Sequence, residues 1–264
     1  MRLAHPELDF CIDEIENVAT VLVIENEDFL YRFLSEMKKQ IDSGEGRFVF
    51  SEGLDIVSAG RNIFLITDLL DIELNKKKIL SKIYSDLAEM ATGEELYEKT
   101  ARVLSTLEDY ISDLTEQFDA ELEYSLPSPD SLLKMFNVKV EDEERSLVER
   151  LIDYISLLKE TFNIRYFVIF GLHSFLSKED LIAFYNFTFL KKYAILSVEH
   201  VAPDLLEQHP PLQHRPVALP KKHRLTARKA RLRIFQLCEL PPCHLSPAFR
   251  PTTSRRTNWT RKPD

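Results

Sequence analysis

The sequence predicts an α/β fold: a head built on a mostly parallel sheet, a helical leg inserted into it, and a basic, disordered C-terminal tail. Three observations predict this. Short β-branched apolar runs alternate with helical patterns at both ends of the first 206 residues, the arrangement of parallel α/β sheets. Between them lies a stretch with helical period only. From about residue 207 the composition breaks. Residues 1–206 hold 21 Lys and Arg against 40 Asp and Glu, a net −19, whereas 207–264 hold 13 against 3, a net +10, with 9 of the 13 prolines.

In chain order, "ATVLVIEN" (Ala19–Asn26) is a buried strand. "EDFLYRFLSEMKKQI" follows as a helix, with Phe29, Phe33, Met37 and Ile41 on one face, and Gly44 and Gly46 stop it. "RFVFSE" is a strand candidate, and Arg61–Leu70, "RNIFLITDLL", is a second buried strand. Two long helices come next, Asn75–Thr92 and Gly93–Tyr124, with apolar steps of three, four and seven that suit an antiparallel hairpin. Pro127 and Pro129 end the second. "SLLKMF" is a short helix and "NVKVEDEE" a turn or edge strand. A helix over "RSLVERLIDYISLLKETF", a strand over "RYFVIFG", a helix capped by Ser177 with Asp180 and a strand over "AILSVEH" complete the body. The head therefore spans 1–73 and 141–206, and the leg 74–140. The tail, 207–264, shows neither period. It reads as a basic arm for nucleic acid or, better, as a segment of non-native frame, so function is not argued from it.

With three cysteines in the chain, no disulfide framework is expected. Cys238 and Cys243 beside His244 make only a weak zinc pattern. Neither a signal peptide nor a membrane-length apolar run is visible, so a soluble cytoplasmic protein is expected.

Asp68, at the end of a buried strand, has the position of an ATPase magnesium ligand. The phosphate cradle it would serve is missing: no glycine precedes Lys-Ser or Lys-Thr, and the turn after the first strand reads Glu25-Asn26-Glu27-Asp28. Asp68 is thus expected to shape a turn. His173, just past a strand end, is a candidate catalytic residue and more readily a satisfied loop histidine. Glu116, Asp119, Glu121 and Glu123, with Asp130 beyond, offer hard oxygen ligands of the kind calcium takes, or else a solvated acidic face. Lys76, Lys77, Lys78 and Lys82 open the first long helix, and Lys134 and Lys139 flank the short one. A body this acidic binds DNA only if its lysines are gathered on one surface.

Four blocks, "TVLVIEN", "NIFLITDLLDIELNKKKIL", "LEYSLPSPDSLLKMFNVKVE" and "RYFVIFG…FLSKEDLIAFY", resemble in order the CRISPR-associated Csn2 family of type II-A systems, over about residues 1–205. The resemblance implies a head that is a degenerate relative of the P-loop fold, and a non-enzymatic protein. It implies a ring-shaped homotetramer that threads double-stranded DNA ends through a lysine-lined channel during spacer acquisition, alongside the Cas1/Cas2 integrase and the Cas9 effector nuclease. It further implies Ca²⁺ held by Glu121 and Glu123, with Asp119 and Asp130. DNA would meet Lys134 and Lys139, and with them Lys76, Lys77, Lys78 and Lys82. Family members close their sheet with a final strand, and none is readable after Pro203. The alternatives are a nucleotide-binding enzyme with a degenerate site and a purely structural helical scaffold.

Overall fold

The computed structural model describes residues 1–13, 18–141, 145–201 and 232–237. Two short strands, β1 (Arg2–Ala4) and β2 (Ile12–Asp13), precede β3 (Ala19–Ile24) and α1 (Glu27–Ser43). Next come β4 (Val49–Glu52), β5 (Asp55–Ile56), α2 (Ala59–Asn62) and β6 (Ile63–Ile66). The leg holds α3 (Lys77–Thr92), α4 (Tyr97–Thr115) and α5 (Pro129–Met135). The chain returns through α6 (Leu147–Phe162), β7 (Tyr166–Phe170), α7 (Leu172–Phe175), α8 (Lys178–Leu190) and β8 (Ala194–Glu199), and β9 (Leu232–Leu237) follows.

The central sheet has the order β6-β7-β8-β3-β9. The first four strands run parallel, in register Ile66↔Ile169, Ile169↔Ser197 and Val21↔Ser197. A parallel sheet is covered on both faces, which is why its strands read as mostly apolar runs. In β3, Val21 and Val23 point into a core shared with α3, α6 and α8, while Leu22 and Ile24 point into one shared with α1. The antiparallel sheet β2-β1-β4-β5 contributes Leu3, Ile12 and Phe50 to the second core.

Local chemistry sets the ends of the elements. The Asn26 side chain accepts from Phe29 N at 2.7 Å, and Glu27 and Asp28 sit in the first turn of α1. Gly44, at φ 78°, takes the left-handed C-cap that a side chain would strain. Ser146 and Glu149 make a reciprocal capping box on α6. Ser177 accepts from Asp180 N at 3.1 Å on α8, as the sequence suggested.

Three expectations are corrected. The strand expected over Arg61–Leu70 is confined to Ile63–Ile66, because Arg61 and Asn62 complete α2. The helix expected to reach Tyr124 stops at Thr115. Beyond it Glu116, Asp119, Glu121 and Glu123 would crowd negative charge onto the negative end of the helix dipole, and no C-cap glycine compensates. Finally, the tail contains a strand. β9 pairs antiparallel with β3 from Ala19↔Leu237 to Ile24↔Leu232, burying Ile234 on one face and Phe235 on the other. Its short apolar stretch, following Arg231 and Arg233, is too brief to announce a period, and only the waiting edge of β3 makes it a strand. The rest of 207–264, with Cys238 and Cys243, lies outside the described residues.

Candidate functional site

The carboxyl edge of a parallel sheet is where α/β folds usually place ligands, and here that edge is closed from within. The turn after β3 carries Glu25, which is ion-paired with Arg233 of β9. Asn26 is spent on capping α1. Asp68 accepts from Leu70 N at 2.9 Å and Asp71 N at 3.3 Å, the turn-shaping role expected of it. At the ends of β7 and β8, Glu199 is buried and accepts from His173 N at 3.2 Å and from Ser197 Oγ at 2.6 Å. His173 Nδ1 lies 2.9 Å from the same carboxylate oxygen, and both side chains are only 2% exposed. Tyr185 Oη stands 3.4 Å from His173 Nε2, and burial, reinforced by Glu199, pushes its hydroxyl pKa up. Three partners offset the cost of burying this carboxylate. No reacting atom has access, so His173 is a structural residue. The network was missed in the sequence, although a glutamate inside the apolar strand "AILSVEH" signals it.

A second polar cluster ties α1 to the small sheet. Arg47 bridges Glu36 at 2.7 Å and Glu7 at 2.8 Å, and Arg32 reaches Glu7 at 3.3 Å. The Arg47 hydrogen bond brings the Glu36 carboxyl down to about 2. His5, buried beside it with Nε2 3.4 Å from Glu36, is held below its ordinary value by burial.

The basic residues sit where the head passes into the leg. Asn75 bonds Val140 in both directions, Nδ2 to its carbonyl at 3.0 Å and Oδ1 from its N–H at 2.9 Å. Tyr84 Oη donates to Val138 O at 2.7 Å. Lys139, between these two anchored residues, is thereby fixed along the first turns of α3, the turns that Lys76, Lys77 and Lys78 open. α5, which carries Lys134, packs along the same helix. Not all six lysines are equally available. Lys76 pairs with Asp71 at 2.7 Å, Lys82 with Asp86 at 2.5 Å, and Lys134 with Asp130. Lys78 lies over the Phe162 ring, 5.6 Å from its centroid. Lys77 is exposed. The structure therefore gathers residues 65 positions apart in sequence, and acidic neighbours neutralise half of the lysines.

The acidic set is not gathered. Asp119, Glu121 and Glu123 are exposed in a segment without helix or strand, and Asp130 is taken up by Lys134. Among the described residues no three His, Cys, Asp or Glu side chains converge as metal ligands. Their donor chemistry suits a hard cation; their arrangement does not yet form a site for one.

No helix among the described residues is long and apolar enough to cross a membrane. Comparison with known proteins adds two findings. The family model described as CRISPR-associated protein (Cas_Csn2) matches residues 40–209. The chain is also similar to the CRISPR-associated protein Csn2 of Streptococcus agalactiae, 23% identical over 182 residues, which cover 69% of this chain and 81% of the relative. The family match takes in the whole leg and the strands β6, β7 and β8.

Proposed function

The chain belongs to the CRISPR-associated Cas_Csn2 family, and on that premise we propose that it binds double-stranded DNA ends without sequence preference, as a non-enzymatic, ring-shaped homotetramer in spacer acquisition. The observation that carries this reading is the root of the leg, where Asn75 and Tyr84 lock Lys139 beside Lys76–Lys78. Lysine contacts to phosphates position a duplex and carry no sequence information. One chain offers too few of them against its acidic body; four copies around a channel supply a continuous positive lining. In this proposal the ring works in the cytoplasm with the Cas1/Cas2 integrase and the Cas9 effector nuclease. Among the described residues, nothing accessible at the carboxyl edge of the sheet pairs a nucleophile with a base.

Threading has a direct test. The full chain is expected to bind linear duplex and to leave covalently closed circles of the same sequence unbound in a filter or mobility assay. Equal affinity for both rejects threading. Calcium enters the proposal on donor chemistry alone. Replacing Glu121 and Glu123 together by Gln is expected to abolish the rise in Tm that calcium chloride gives the full chain, and an unchanged rise removes these residues as ligands.

A further inference from the structure

The helix α4 is amphipathic, yet none of its residues is fully buried. One row, Thr100, Leu104, Leu107, Ile111 and Thr115, is half-buried. Beside it a second apolar row has no cover: Leu96 is 41% exposed, Val103 52%, Tyr110 58% and Leu114 43%. At 3.6 residues per turn these four share a stripe along the helix, and Lys99, Thr106 and Asp113, seven residues apart, border it on the outer side. Among the described residues neither the Lys99 ammonium nor the Asp113 carboxylate has a partner within its own chain.

We propose that this stripe is a two-fold contact in which α4 of one copy packs antiparallel on α4 of another, centred on Thr106. The charges fix both the occupant and its direction. Laid antiparallel about Thr106, each copy sets its Lys99 opposite the other's Asp113. The same register brings Leu96 beside the second copy's Leu114, Val103 beside its Leu107 and Tyr110 beside its Thr100, each pair within about half a turn of level. Apolar and charged layers thus agree on one alignment. A parallel pairing puts the Lys99–Asp113 edges of the two copies on opposite sides of the seam, so neither charge meets its opposite, and it aligns the two helix dipoles unfavourably. The contact is isologous, since the same residues serve on both sides. It rests on the homo-oligomeric reading above and deepens it, by naming the leg surface through which two subunits meet.

The full chain tests this by charge exchange. Lys99→Asp and Asp113→Lys are each expected to weaken self-association at least about tenfold in sedimentation equilibrium, because each puts two like-charge pairs into the contact. The double variant is expected to restore it. Where Lys99→Asp lowers the helix content seen by circular dichroism, Lys99→Gln and Asp113→Asn read the same pair. In a background with Cys11, Cys238 and Cys243 changed to Ser, Leu96→Cys with Leu114→Cys is expected to be joined between copies by a short thiol cross-linker, and Leu96→Cys alone is not. An unaltered chain that oligomerises while the double charge variant stays as weak as the singles overturns the pairing and leaves the ring standing. A chain that is monomeric throughout overturns both. Joining of copies that carry Leu96→Cys alone reports a parallel alignment and also overturns the pairing.

Discussion

At the scale of single residues, carboxylates of the head are held by short networks of ion pairs and hydrogen bonds. Glu36 is the clearest case. Arg47 brings its carboxyl down to about 2 from an ordinary 4.5. As pH falls, the unfolded chain therefore takes up the proton first, near pH 4.5, and the folded chain only near pH 2. The stabilisation is complete above pH 4.5 and is lost between about 4.5 and 2. His5 acts in the same direction at higher pH: burial keeps its imidazole neutral, so the unfolded chain gains a proton first below the ordinary histidine value of 6.5. Glu36→Gln is expected to flatten the lower limb of a stability profile measured by urea unfolding between about pH 5 and 2; an unchanged slope there removes Glu36 as its source. These roles were not legible in the sequence. Glu36 on α1 and Arg47 in the loop before β4 lie 11 residues apart, and the turn at Gly44 brings them together.

At the scale of elements, patterns long enough to repeat were readable and short ones were not. α1 and α6 each carry several turns of apolar period and a polar cap, α8 is apolar on most sides behind its Ser177 cap, and β3, β7 and β8 are mostly apolar runs. β1 and β2, at three and two residues, carry no period at all. β9 is the instructive failure. Its Ile234 and Phe235 follow a basic stretch and are too short a pair to show a period, and the strand exists because β3 has an edge to pair with. Phe235 fills the core between the sheet and the helices of its α6 side. Phe235→Ala is expected to cost about 3–5 kcal/mol, measured as a shift in the urea midpoint at unchanged m; no shift means that the strand is dispensable to the fold.

At the scale of the whole molecule, the question is how an acidic chain meets a polyanion. The root of the leg concentrates Lys77 and Lys139 on one side of the fold, while Lys76, Lys82 and Lys134 have aspartate partners. Lys77→Gln with Lys139→Gln is expected to weaken linear duplex binding for all sequences alike. The slope of log K against log salt becomes shallower by roughly 0.9 for each phosphate that no longer meets a lysine, and an unchanged slope places the DNA elsewhere. The sequence by itself determined most of the sheet strands and long helices of the body, the turn role of Asp68 and the family. Each of these is written in local periodicity, capping residues or the order of contiguous blocks. Tertiary structure alone decided the edge strand β9, the early end of α4, the burial of His173 with Glu199, and which lysines have aspartate partners. Those outcomes depend on neighbours distant in the chain, whose positions local period and spacing do not encode.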